Sequence, residues 1–353
     1  MIPKLPPKLA WKRRLTAINQ RRLANFTANR RGYWSLWIIA ALFIISLFAE
    51  FIANDRPLLV GYKGALHSPV LFDYPETAFG GVFETPANYD DPFVRDAINA
   101  DGWMLHTLIP FSFDTIDFNL GRPAPAPPSL KHWLGTDNQG RDVLARLIYG
   151  FRISMLFALM LTITSSIVGV AAGAVQGYFG GKTDLLFQRF IEIWGGLPQL
   201  FILIIVASII APGFWTLLGV LLLFSWTSLV SVVRAEFLRA RNLDYVRAAK
   251  ALGMDDVNVM AKHILPNAMV ATVTFMPFIL SGAVVALTSL DFLGLGMPPG
   301  SASLGELLRQ GKENLQAPWL GFTGFFAIAG MLTLLVFVGE AVRDALDPRK
   351  TFS

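Results

Sequence analysis

The sequence predicts an all-α polytopic membrane protein with six transmembrane helices, and three observations carry that expectation. Of 353 residues, 54% are hydrophobic and only 16% are charged, well below the roughly 25% charged residues of a soluble domain. Mean hydropathy is +0.50. The apolar residues also gather into blocks close to the roughly 20 residues a helix needs to cross a bilayer. Cysteine is absent, which excludes disulfides, thiolate metal sites and thiol nucleophiles.

Residues 1–32 form a basic segment in which Lys4, Lys8, Lys12, Arg13, Arg14, Arg21, Arg22, Arg30 and Arg31 stand without an acidic partner. Directly before an apolar block, such a run reads as a cytoplasmic anchor rather than as a nucleic-acid site. Helix one is expected at 33–53, with Tyr33, Trp34 and Trp37 at headgroup depth; the basic lead and the apolar block are both too long for a cleaved signal peptide. Five further blocks can span, at 153–175, 197–211, 215–233, 270–290 and 319–338, the third being short. Lys182 and Arg189 mark the second-to-third connection as cytoplasmic, and Arg234, Arg239, Arg241, Arg247, Lys250 and Lys262 mark the fourth-to-fifth. Arg343, Arg349 and Lys350 place the C-terminus on the same side. A five-helix core over 151–340 and a cytoplasmic tail over 341–353 follow, with both termini inside.

Between helices one and two lies an insertion, 54–150, richer in acidic than in basic residues and expected in the periplasm. Its aromatic content, including Tyr62, Tyr74, Phe79, Tyr89 and Trp103, is too high for a disordered linker and predicts a small compact unit, β-rich or irregular. Pro123-Ala124-Pro125-Ala126-Pro127-Pro128 predicts an extended spacer. After it, Asp137 is a candidate cap for an amphipathic lead-in helix with Val143, Leu144, Leu147 and Ile148 on one face and Arg141, Asp142 and Arg146 elsewhere.

The charged connection 239–267 is the most informative stretch. Residues 244–252 read as a short helix with a small face, Ala248 and Ala249, and an apolar knob, Leu252; Gly253 sits where a helix ends in the left-handed conformation. Asp255 or Asp256 caps a second helix through Val257, Val259 and Met260, and Pro266 closes the loop. Two short helices with a glycine elbow make a knob suited to a groove on a soluble partner, although a helical hairpin that merely links two spans satisfies the same periodicity.

Ala248-Ala249, Gly253 and His263-Ile264-Leu265-Pro266-Asn267 together resemble the coupling loop of binding-protein-dependent ABC importer permeases. The chain departs from that pattern at Arg247, where a glutamate is usual, and at His263, where an isoleucine is usual. His132-Trp133-Leu134-Gly135-Thr136-Asp137, Gly140-Arg141-Asp142-Val143-Leu144, Tyr178-Phe179-Gly180-Gly181 and Ser289-Leu290-Asp291-Phe292-Leu293-Gly294-Leu295-Gly296 are similar to the peptide, opine and nickel permease family. Arg30-Arg31-Gly32-Tyr33-Trp34-Ser35-Leu36-Trp37, the proline spacer and Asn314-Leu315-Gln316-Ala317-Pro318-Trp319 resemble a peptide-importing branch of it.

That resemblance implies the type I ABC importer permease fold and a heteromeric assembly. Its partners would be a second homologous permease, one or two ABC ATPase subunits, a periplasmic peptide-binding protein and the surrounding membrane lipid, without nucleic acid. ATP and magnesium would belong to the ATPase, this chain binding no cofactor. Its contact residues on this chain would be Tyr245, Arg247, Ala248, Ala249, Leu252, Gly253, His263, Leu265, Pro266 and Asn267.

Other motifs are weaker. Gly177, Gly180, Gly181, Lys182 and Thr183 miss a phosphate-binding loop because Gln176 occupies the place of the first glycine. The four histidines, His67, His106, His132 and His263, show no metal-ligand spacing. Glu192 and Asp291 approach the membrane boundary and Glu50 lies toward the outer end of helix one, whereas a proton-coupled carrier would bury a carboxylate mid-span. An ion-coupled carrier or channel would leave the 239–267 segment unexplained, and a membrane hydrolase would need a His-Glu-x-x-His or comparable constellation that the chain lacks.

Overall fold

In the computed structural model the described residues are 16–347; Lys4, Lys8, Lys12, Arg13, Arg14, Arg349 and Lys350 lie outside them. Helix α1 (Ala17–Ala28) starts at Thr16, whose side chain accepts from the Asn19 N–H. Helix α2 (Arg30–Leu47) follows at once, capped by Asn29, and a single turn, α3 (Ala49–Ile52), completes the first apolar segment. The helix therefore begins inside the stretch expected to be a basic lead. Gly32 has a packing reason for being glycine: a Cβ there would sit 2.1 Å from Ala341 Cβ and 2.7 Å from the Phe337 carbonyl oxygen.

The insertion has its own small core. Strands β1 (Leu59–Tyr62), β2 (Ala65–His67) and β3 (Gly102–Leu105) form an antiparallel sheet in the order β2-β1-β3. Alternation along β1 buries Val60 and Tyr62, which pack with Phe79, Tyr89, Val94 and Ile98. The last two come from α4 (Pro92–Asp101), capped by Asp91 with Pro92 in its first turn. The rest is irregular, and the proline stretch 123–128 runs over the surface without helix or strand.

The entry to the second apolar segment differs from the sequence reading. Lead-in helix and span are one helix, α5 (Val143–Phe179), of 37 residues, about 55 Å long at 1.5 Å per residue. Its cap is Asp142, which accepts from the Ala145 N–H, and Asp137 instead folds back on the loop, accepting from the N–H groups of Gln139 and Arg141. Arg141, Asp142 and Arg146, read as a separate polar face, are all buried. A periodic pattern assigns charges to water unless something covers them. Here a strap at the end of the insertion, residues 113–141, and helix α13 (Leu304–Glu313) supply both the cover and the countercharges.

Arg141 Nη2 lies 2.6 Å from Asp137 Oδ2, while Arg146 lies 3.4 Å from the same carboxylate and 3.0 Å from Glu306. Arg146 also donates to the carbonyls of Phe113, Gly300 and Ser301. Beside it, His132 is buried with Nδ1 2.8 Å from Asp142 and Nε2 3.1 Å from Asp117, and Lys131 donates to Asp117 at 2.5 Å.

A pH dependence follows. Burial is the largest influence on His132 and disfavours its charge, but hydrogen bonds to Asp142 and Asp117 outweigh it and raise the imidazole above its ordinary 6.5. Burial likewise pushes Asp117 upward, yet hydrogen bonds from Lys131, His132 and the Asn119 N–H hold it below 3.8. The raised histidine contributes stability in full below about pH 6.5 and loses it as pH rises through its folded value; the depressed carboxylate contributes above about pH 3.8 and loses it as pH falls. Thermal midpoints of the purified protein should therefore peak at mildly acidic pH, and His132→Gln should flatten the alkaline limb. An unchanged alkaline limb would contradict the pairing.

The third segment is broken. Helix α6 (Gly181–Gly195) and α7 (Gln199–Ile209) meet at 69°, because Gly196 and Pro198 interrupt the hydrogen-bond ladder and Leu197, preceding proline, is steered away from helical angles. The span expected at 197–211 is thus an 11-residue α7, about 16 Å long, which crosses a membrane only together with part of α6. Helices α8 (Phe214–Ser225) and α9 (Thr227–Ala240) form one segment of 27 residues. Helix α12 (Leu265–Phe292) and α14 (Pro318–Leu346) supply the last two. Among the described residues five segments are long and apolar enough to cross a membrane, and the bent α6–α7 pair makes six. Helix α14 runs six residues past 340, into the stretch expected to be a tail.

Helix α5 is the axis of the bundle. Phe157 and Leu161 pack with Leu217, Leu221, Val284, Leu287 and Met331 in the main core. Toward its far end Gly169, Gly173 and Gly177, spaced four apart, let α9 ride on its backbone: a Cβ at each would meet the Trp226, Val230 and Arg234 carbonyl oxygens at 2.5, 2.8 and 2.5 Å.

Candidate functional site

At the end of α5 opposite the insertion, α10 (Asp244–Ala251) begins directly after α9, with Asp244 in its first turn. It ends where expected: Gly253 has φ +84° and its N–H donates to the Lys250 carbonyl, a left-handed stop that glycine adopts without steric cost. Asp255 caps α11 (Asp256–Val259) by accepting from the Asn258 N–H. Asn258 donates from its side chain as well, and together these bonds hold the Asp255 carboxyl below the usual carboxylate range.

Pro266 does not close the loop. Helix α11 runs through a π turn, Met260–Ile264, straight into α12, and Pro266 occupies the first turn of α12. A proline there lacks the N–H for the residue four back and crowds its carbonyl; the wider π turn ahead of it relieves both.

Helix α10 is amphipathic across its short length. Val246 and Ala249 are buried against Phe237, Val259 and Ile264. Tyr245, Ala248 and Leu252 face out, and Leu252 is 89% exposed. Ala248 and Ala249 therefore do not form one packing face; Ala249 lies at the seam between the core and a depression of about 450 Å³ lined by Tyr245, Ala248, Ala249, Leu252, Gly253, Met254 and His263.

The structure thus brings together six of the ten sequence-predicted residues, Met254 being one the sequence reading missed. Asn267 joins them at the rim, its amide donating to the Tyr245 hydroxyl at 3.3 Å. Leu265 does not join them; it lines an apolar groove between α5 and α12. Pro266 is exposed on α12, and Arg247 is exposed on α10.

Other candidates are absorbed by structure. Asp291 is buried and accepts from the Met297 N–H and the Ser303 hydroxyl, stapling the loop before α13. Both carboxylate oxygens of Glu50 accept from Arg152 at 2.8 Å. Gly180 and Gly181, with φ +63° and +53°, form the joint between α5 and α6, while Gly177 is consumed by α9 packing.

Residues 165–352 match the family described as binding-protein-dependent transport system inner membrane component. The chain belongs to this family. The match spans the α5 glycines, the α10–α11 knob and the last two apolar helices. Similarity to individual permeases extends further. Peptidoglycan transport system permease protein YejE of Agrobacterium fabrum is 58% identical over 98% of this chain and 96% of its own length. Inner membrane ABC transporter permease protein YejE of Escherichia coli is 58% identical over 96% and 99%. Dipeptide transport system permease protein DppC of Bacillus subtilis is 37% identical over 63% and 70%. The bundle is accordingly a type I importer permease, and the insertion before α5, outside the family match, falls within the coverage of the first two relatives.

Around the knob this permease carries ties that the sequence reading did not find. Arg234 on α9 makes a two-pronged pair with Asp184 on α6 at 2.5 and 2.6 Å. Arg241 donates to the Tyr178 carbonyl at 3.1 Å. Lys250 lies 3.0 Å from Asp256, and its bonds to Tyr178 and Asp256 hold the ammonium above the usual lysine range. The Tyr-Phe-Gly-Gly stretch at 178–181 was the one visible signal for this arrangement.

Proposed function

We propose that this chain is one of two membrane-spanning subunits of an ATP-driven importer that moves oligopeptides or modified peptides from the periplasm to the cytoplasm. The observation that carries the proposal is the α10 knob, with a buried side seated on α5 and α9 and an exposed side made of small residues, Leu252 and an open depression. An ATPase subunit binds that side, and closure of the ATPase pair pushes α10 against the bundle. ATP and magnesium are held and used by that partner; this chain binds no cofactor and catalyses no reaction. A second homologous permease completes the pathway, and a periplasmic peptide-binding protein docks on the side of the insertion. Both termini and the 239–267 loop are cytoplasmic. The names of the relatives, which speak of dipeptide, oligopeptide and peptidoglycan transport, support peptide cargo.

Gly253→Val tests this reading. Nothing lies within 4 Å of a Cβ at Gly253, so within this chain the substitution acts chiefly by opposing the left-handed backbone, at a cost of about 1–2 kcal/mol or more for a β-branched residue. The assembled transporter carrying it should hydrolyse ATP but take up little peptide into vesicles. Gly253→Asn, which tolerates that conformation, should retain most uptake. Normal uptake by a correctly assembled Gly253→Val transporter would contradict the assignment.

A further inference from the structure

The longest rigid elements of this permease are α5 and the continuous run from α11 through α12, Asp256–Phe292, also 37 residues. Beneath the knob their ends share an apolar cluster and a hydrogen bond from the Tyr178 hydroxyl to Asp256 Oδ1 at 2.5 Å. Lys250, in the last turn of α10, completes the arrangement: its ammonium lies 3.0 Å from the same Asp256 oxygen and 4.9 Å from the centre of the Tyr178 ring.

We propose that Tyr178, Asp256 and Lys250 form a strut that transmits displacement of α10 to α5 and α12 together. The proposal rests on the coupling role given to α10 above, and it names the residues through which that role is exercised. Tyr178 is fixed for the task from two sides. Its ring is buried in the cluster with Val246 and Ala249 of α10, and its carbonyl accepts from Arg241 at the end of α9. Gly180 allows that last contact, since a Cβ there would lie 2.2 Å from the Arg241 guanidinium. The hydroxyl is therefore presented to Asp256 by a side chain that cannot swing away without opening the core. Asp256 in turn begins the run that ends at Phe292. The two helices already pack side by side in the main core, and the strut ties α10 to both of them at this end; with the joint cut, α10 can shift without carrying the ends of α5 and α12 with it.

The strut residues act by positioning. Removing them should leave the ATPase docked, because Tyr178 is buried and the depression on α10 does not include these three side chains. The test uses the complete transporter in vesicles, with Tyr178→Phe, Asp256→Ala, their combination and Gly253→Val measured side by side for ATPase retention, hydrolysis and peptide uptake. Tyr178→Phe and Asp256→Ala should each keep ATPase bound and active while uptake per ATP falls by about five-fold. The double variant should be no worse than Asp256→Ala alone, because the bond that Tyr178→Phe removes is already lost there. An unchanged uptake-to-hydrolysis ratio in Tyr178→Phe and Asp256→Ala, with Gly253→Val uncoupled, overturns the strut alone. Normal coupling in Gly253→Val as well overturns the role of α10 and the strut with it. A lowered thermal midpoint with an intact ratio assigns the triad to stability only and also overturns the proposal.

Discussion

Asp137→Ala is expected to destabilise the protein by about 3–5 kcal/mol, the range for removing one partner from a buried ion pair. Asp137 is fully buried and faces two guanidinium groups, Arg141 at 2.6 Å and Arg146 at 3.4 Å. Its removal leaves two cations with Glu306 as the remaining carboxylate nearby, and it also deletes acceptors for the N–H groups of Gln139 and Arg141. Desolvation makes such stranded charges expensive, and the cluster joins the insertion strap, α5 and α13, so no single element can move aside to let water in. Thermal unfolding in detergent, or the yield of intact protein in membranes, checks this. Wild-type stability of Asp137→Ala would mean that the cluster is hydrated rather than sealed.

Gly173→Leu should cost about 3 kcal/mol through overpacking. A Cβ at Gly173 would lie 2.8 Å from the Val230 carbonyl oxygen and 2.9 Å from Val233 Cβ. The first obstacle is backbone and cannot rotate away, so α9 itself must lift off α5. That separation would propagate to Arg234 and Arg241, which tie α9 to α6 and to Tyr178. Gly173→Ala should show the same effect in milder form, and Gly219→Ala, inside α8 with no packed neighbour within 4 Å of the added methyl, should match or exceed wild type. Equal thermal midpoints for Gly173→Leu and Gly219→Ala would contradict the close crossing.

These two predictions rest on features that the sequence exposes unequally. Hydropathy located the apolar segments because burial in lipid requires runs of apolar residues regardless of neighbours. It located α7 poorly because a broken segment shares its length between two helices, and neither half has the full signature. The α10 stop was legible, since a left-handed residue selects glycine locally. The burial of Arg141 and Arg146 was not: periodicity places charges on a face, and only tertiary contacts with the insertion and α13 decide that the face is covered. The glycine spacing at 169, 173 and 177 lay in plain view inside an apolar block, where small residues also serve many unspecific contacts. Tyr178 could be read only as part of a family-like stretch, because its partners lie 72 and 78 positions away at Lys250 and Asp256.

The assignment of α10 to an ATPase contact is open to a direct physical measurement, since the chain has no cysteine and any introduced thiol is unique within it. Leu252→Cys places one at an 89% exposed position on the knob, and Leu130→Cys places another at a 99% exposed position on the insertion. With a short thiol-to-amine cross-linker in membranes containing the complete transporter, Leu252→Cys should join this chain to the ATPase subunit, with a yield that changes when ATP is bound, and Leu130→Cys should not. Cross-linking to the ATPase from Leu130→Cys, or its absence from Leu252→Cys in an active transporter, would contradict the account.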